Sequence, residues 1–188
     1  MTFKSSNRSN IQPFFAMEML REANELEKDG RNIIHLEVGE PSAGAPSAVI
    51  NQAKKILEEK KPIPYTDALG IHTLRERISD YYQSSSNLSI PSKNIIITTG
   101  TSAGFVLSLL SAFDVGDKVA ISIPGYPAYR NILISLGLKP VEIITNKNQK
   151  YQPTSTQIKK LGNINGIILA SPSNPTGSIF DEKELYEI

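Results

Sequence analysis

The hydrophobic pattern changes character along the chain. Residues 1 to 12 are mostly polar, and nothing in them gives a core to fold around; they read as a flexible N-terminal arm. From Pro13 the segment PFFAMEMLREANELEKDG places Phe14, Met17, Leu20 and Ala23 at helical spacing and stops at Gly30, a natural helix end. IIHLEVG, 33–39, reads as a short buried strand followed by a Pro- and Gly-punctuated loop. Ser47 suits the N-cap of a helix that carries Val49, Ile50, Ala53, Ile56 and Leu57 on one face. The prolines of KKPIPYTDALG then interrupt regular structure before a helix bearing Ile71, Leu74, Ile78 and Tyr82.

After the polar spacer QSSSNLSIPSK the pattern alternates. Apolar strands are predicted at 94–99, 118–123, 139–145 and 165–170, with helices at 101–112, about 126–136 and 154–161 between them. Strands alternating with helices predict an α/β fold, a mainly parallel sheet with helices on both faces. DEKELYEI opens one more charged helix, so the sheet is expected to be the first part of a larger one.

Composition narrows the function. The 188 residues carry 20 Lys and Arg against 19 Asp and Glu, a net charge of +1 that gives no reason to expect nucleic acid or an acidic membrane as partner. There is no cysteine, which excludes disulfides and thiolate metal sites and makes the reducing cytoplasm the simplest location. His35 and His72 are the only histidines and neither sits in a metal-binding spacing, so no metal site is expected. The N-terminus has no apolar core of a signal peptide, and no apolar run is long enough to span a bilayer.

In open α/β sheets ligands bind beyond the carboxyl ends of the strands. Three loops at such positions stand out: Gly100-Thr101-Ser102, PGYPAY at 124–129 and SPSNPTG at 171–177. Together they offer N–H donors at a helix start, an aromatic face and a side-chain amide, a set that suits a flat phosphorylated ring. Each also has a plainer reading as an N-cap, a packing aromatic or an ordinary turn asparagine. IIITTGTSAGFVL also matches G-x-S-x-G, the elbow that exposes a nucleophilic serine in some hydrolases, here Ser102. No histidine follows that serine, and the elbow leaves the other two loops without a role. A dinucleotide site at the same turn lacks both the full glycine pattern and an acid at the end of VAISI.

The order of these pieces resembles the class I/II aminotransferases, the fold-type-I pyridoxal phosphate enzymes, N-terminal half only. The matching segments are IIHLEVGEPSAGAP, PYTDALGIHTLRERISDYY, IIITTGTSAGFVLSL, GDKVAISIPGYPAY and IILASPSNPTG. The resemblance implies transfer of an amino group between an amino acid and a 2-oxo acid, with pyridoxal 5'-phosphate as cofactor. It implies that Gly100, Thr101 and Ser102 hold the phosphate, Tyr126 stacks on the pyridine ring and Asn174 bonds its phenolic oxygen. Gly39 would approach the substrate through its backbone, and Tyr65 would reach the cofactor phosphate of the neighbouring subunit in a homodimer. It also implies a division into residues 1–12 as arm, 13–46 as the start of a small domain and 47–188 as the first part of a large cofactor-binding domain.

In that family the Schiff-base lysine, the aspartate at the pyridine nitrogen and the arginine for the substrate carboxylate all follow NPTG, beyond the last residue here. The 188 residues alone are therefore expected to be inactive, with no catalytic residue assigned. Lys93 is not a substitute, because it precedes the strand that leads into the phosphate turn. A binding or interaction remnant of the same fold is the alternative outside enzymes.

Overall fold

The computed structural model describes residues 3–188, which divide into two compact units, 3–18 with 100–188 and 19–99. The first unit is built on a parallel three-stranded sheet, order β2-β1-β3, with β1 at Lys118–Ile123, β2 at Lys139–Ile144 and β3 at Gly166–Ile168. In register, Val119 and Ile121 of β1 face Pro140 and Glu142 on one side and Gly166 and Ile168 on the other. With ladders on both edges, β1 is also the most buried strand: Val119 and Ala120 are fully buried and Ile121 nearly so. Such an apolar run is what a strand covered on both faces requires.

Helices α4 (Thr101–Ala112), α5 (Pro127–Ser135), α6 (Ser155–Lys159) and α7 (Glu182–Glu187) complete this unit. Leu109 of α4 and Leu133 of α5 pack with Val119, Ile121 and Leu138 to form its apolar core. α6 begins in a capping box, Thr154 accepting from the Gln157 N–H while the Gln157 side chain accepts from the Thr154 N–H. α7 reaches back to the same helix start, where the Glu184 and Glu187 carboxylates accept from the Ser155 N–H and hydroxyl at 2.8 and 2.9 Å.

The second unit is helical. Most of α1 (Phe15–Lys28) lies in it, together with α2 (Ser47–Glu58) and α3 (His72–Ser86). The buried residue of α3 is Arg75, whose guanidinium donates to the carbonyls of Gly70 and Ser92 at 3.2 and 3.4 Å and lies 3.4 Å from an Asp67 carboxylate oxygen. Of the apolar residues expected to face a core on this helix, Ile78 is half-buried, whereas Ile71, Leu74 and Tyr82 are exposed. One polar side chain thus ties α3 to the loop before it and to the 3-10 turn Ser92–Asn94 after it.

Several expectations change. The segments 33–39 and 94–99 form no ladder. Ile95 is extended and the Ile97 N–H donates to the Leu69 carbonyl at 3.0 Å, yet a strand is defined by its partner, which apolar spacing cannot supply. β3 is limited to three paired residues for the same reason. Ser47 is the first helical residue of α2 and not its cap; Pro46 takes the cap position and its carbonyl accepts from the N–H groups of Val49 and Ile50. Residues 7–9 of the arm form a 3-10 turn, and Gln12 accepts from the Asn131 side chain at 3.2 Å.

Leu133 is fully buried against β1, so Leu133→Ala is expected to lower unfolding free energy by about 3 kcal/mol, measured by urea denaturation.

Candidate functional site

Parallel pairing fixes where the site lies. β1 and β3 run in the same direction, so the loops that leave them, Pro124–Tyr126 and Ala170–Gly177, emerge at one end of the sheet. Lys118 and Lys139, which open β1 and β2, stand at the other end.

The end of β1 is held firmly. The Ile123 carbonyl accepts from both the Thr145 N–H at 2.8 Å and the Thr145 hydroxyl at 2.9 Å, which anchors the loop start to β2. Gly125 then allows a close turn: a Cβ there would sit 2.3 Å from the Ser122 carbonyl oxygen. Tyr126 caps α5, and Pro127 takes the first helical position, where its missing N–H costs nothing.

Tyr126 stands in a chain of rings. Phe14 meets it edge-on at 6.0 Å between centroids, Tyr129 meets it at 5.3 Å, and Tyr129 in turn meets Phe105 of α4 at 4.9 Å. Burial holds the Tyr129 phenol above its ordinary value, and the Tyr126 phenol adds in the same direction. A cavity of about 320 Å3 opens beside the rings, lined by Pro13, Phe15, Ile123, Pro124, Tyr126 and Arg130 among others.

The chain of rings leads to the start of α4. Its cap residue, Gly100, has φ +85°, a conformation other residues rarely adopt. The first turn contains no acidic residue, and Thr101 and Ser102 are exposed. The hydroxyls and the positive end of a helix of 12 residues make a neutral donor set suited to a phosphate dianion. Asn174 is exposed on the loop after β3. That loop is fastened by Gln152, a buried side chain whose amide donates to the carbonyls of Ala170 at 3.1 Å and Ser178 at 2.9 Å. The Gly177 N–H closes the turn on the Ser173 carbonyl at 2.7 Å.

The remaining predicted residues belong to the second unit. Gly39 is exposed, just after the bend at Glu37 and Val38, with open space where a Cβ would be. Tyr65 is fully exposed. Lys93 is exposed within a 3-10 turn. The hydrolase reading of Ser102 does not survive: the serine lies inside the first turn of α4 and Gly104 continues the helix, so there is no elbow. Both histidines are engaged with glutamates, His35 with Glu27 and Glu37, and His72 with Glu76.

The family model for aminotransferase class I and II matches residues 31–188. The chain belongs to the class I and II aminotransferases. These enzymes work with pyridoxal phosphate, and the donor set at α4 with the ring at Tyr126 fits such a group. Among curated relatives, the valine–pyruvate aminotransferase of Mycobacterium tuberculosis is 38% identical over 189 residues, covering 100% of this chain and 48% of its own length. The (5-formylfuran-3-yl)methyl phosphate transaminase of Methanocaldococcus jannaschii is 40% identical over 178 residues, covering 95% and 46%. A solved aminotransferase structure from Mycobacterium tuberculosis superposes with a TM-score of 0.92 at 37% identity, covering 99% of this chain and 48% of that one. The chain spans about half the length of the relatives it matches. The fold-type-I assignment holds.

Sequence reasoning passed over the contacts that Gln152, Phe14 and Tyr129 make around these loops. Gln152 carried no signal, since a glutamine before a proline reads as loop; the two aromatic residues were legible only as helix-spaced or turn-flanking positions.

Gly125→Ala is expected to displace the 124–126 turn and lower the melting temperature by several degrees, on the order of 1 kcal/mol or more. The folded Tyr129 phenol keeps its proton to higher pH than the unfolded one. Its contribution to stability is therefore complete below the ordinary value of about 10 and is lost as pH rises through the folded value. Tyr129→Phe is expected to flatten that alkaline loss in denaturation curves recorded from pH 8 to 11.

Proposed function

We propose that these residues form the cofactor-holding half of an aminotransferase that moves an amino group between an amino acid and a 2-oxo acid. The observation that carries the reading is the α4 start: a glycine-led helix with two exposed hydroxyls in its first turn, linked through Phe105 and Tyr129 to Tyr126. In this reading the N–H groups at Gly100, Thr101 and Ser102, with the two hydroxyls, bind the phosphate of pyridoxal 5'-phosphate. Tyr126 lies against the pyridine ring, and the Asn174 amide donates to the phenolic oxygen. Pyridoxal phosphate, when bound, supplies an electron sink for charge at the substrate α-carbon. The residues here bind and orient; Tyr126 and Asn174 fix the plane in which that charge is accepted.

Gly39 leaves backbone room for the substrate, and the fully exposed Tyr65 reaches the cofactor phosphate of a second subunit in a homodimer. Residues 1–12 act as an arm, 13–46 as the first part of a small domain and 47–188 as part of the large domain. The enzyme works in the cytoplasm. None of the lysines in this stretch is the imine-forming residue, and the 188 residues alone do not transaminate.

Pyridoxine 5'-phosphate, which has no aldehyde to react with surface lysines, is expected to bind the purified chain. Ser102→Ala weakens it by about tenfold, the value of one hydrogen bond to a charged group, read by equilibrium fluorescence. Equal affinity in Ser102→Ala overturns the phosphate assignment. Borohydride reduction with pyridoxal 5'-phosphate is expected to label lysines without preference; selective fixation of Lys93 or any other single lysine overturns the claim that none forms the imine.

A further inference from the structure

We propose that Phe14 is a positioning residue for Tyr126, holding the ring of that tyrosine in the plane that a cofactor ring meets; this rests on the reading of Tyr126 as the ring-stacking residue. Two edge-to-face contacts define the Tyr126 ring, one from Tyr129 at 5.3 Å and 84° and one from Phe14 at 6.0 Å and 84°. The Tyr129 side is backed by the fold itself, because Phe105 of α4 supports it at 4.9 Å. The Phe14 side comes from the N-terminal segment, far away in sequence.

Phe14 is itself fixed at both flanks. Its carbonyl accepts from the N–H groups of Met17 and Glu18 at 2.9 and 3.3 Å, so it sits at the start of α1. Two residues earlier, the Gln12 carbonyl accepts from the Asn131 amide of α5 at 3.2 Å. The helix that Tyr126 caps therefore also holds the segment that delivers Phe14. The cavity beside Tyr126 is lined by Pro13, Phe15, Ile123 and Pro124 among others, so open volume adjoins the tyrosine ring and the two edge contacts are the ring contacts that hold it. Edge-to-face geometry supplies a directional restraint that an aliphatic side chain of the same bulk lacks, because the positive ring edge of one partner seeks the negative face of the other. The N-terminal segment thereby acts on the site without touching the phosphate donors.

The test uses the purified chain with two probes, pyridoxine 5'-phosphate and inorganic phosphate. In the unsubstituted chain without ligand, proton NMR is expected to show cross-relaxation between the Phe14 and Tyr126 rings; its absence overturns the proposal without any variant. Phe14→Leu is expected to shift the Tyr126 ring signals and weaken pyridoxine 5'-phosphate between about two- and tenfold, while inorganic phosphate binds unchanged. Phe14→Tyr, which keeps the ring, restores the affinity. If Tyr126→Leu weakens pyridoxine 5'-phosphate but Phe14→Leu does not, the positioning role is overturned and the reading of Tyr126 stands. If Tyr126→Leu itself leaves affinity unchanged, the reading of Tyr126 fails, and the role of Phe14 with it.

Discussion

The sheet unit depends on β1 being paired on both edges and covered on both faces. Val119 and Ala120 are fully buried, and the ladders to β2 and β3 satisfy the polar backbone that this burial would otherwise leave stranded. Everything at the site is referred to that strand. Its last carbonyl is gripped twice by Thr145, its next residues form the turn that only Gly125 can make, and its partner β3 sends the Asn174 loop out at the same end. A shift of β1 by one residue would exchange its two faces and carry Tyr126 away from Phe105 and α4.

On that base the site is assembled from two kinds of restraint with different ranges. Apolar burial sets where α4 and α5 lie, through Leu109 and Leu133, but tolerates small rotations. Ring edges and hydrogen bonds to carbonyls set orientation. The chain Phe14, Tyr126, Tyr129 and Phe105 joins the N-terminal segment to α5 and then to α4 by a continuous run of ring contacts. Raised protonation of the Tyr129 phenol follows from the same arrangement, because a ring that supports its neighbours from the side gives up solvent to do so.

The sequence was most legible where local chemistry and tertiary structure agree. The α4 boundary at Thr101 and the β1 limits at Lys118 and Ile123 follow from apolar runs bounded by Gly and Pro, signals that need no distant partner. The exposed hydroxyl positions Thr101 and Ser102 at the helix start were legible for the same reason, and so was the aromatic turn at Tyr126. Segments 33–39 and 94–99 were misread because alternation describes a strand's surfaces but not the backbone that must pair with it. α3 shows the opposite failure: an apolar stripe pointed to Leu74 and Tyr82 as the packed face, whereas the buried side chain is Arg75, whose role depends on carbonyls at Gly70 and Ser92.

Arg75 and Gln152 illustrate how a loop without regular structure is held in place. Neither adds to an apolar core, and burying either costs desolvation that hydrogen bonds must offset. In return each side chain reaches two backbone carbonyls well separated in sequence, Gly70 and Ser92 in one case, Ala170 and Ser178 in the other. An apolar side chain in the same place would fill the volume but remove the bonds that join Gly70 to Ser92 and Ala170 to Ser178 through one side chain. Tyr65 lies on the loop that Arg75 holds, and Asn174 on the loop that Gln152 holds. A buried polar side chain therefore sits behind each of these two loops because the task there is to fix a backbone path, which a donor does by bonding carbonyls.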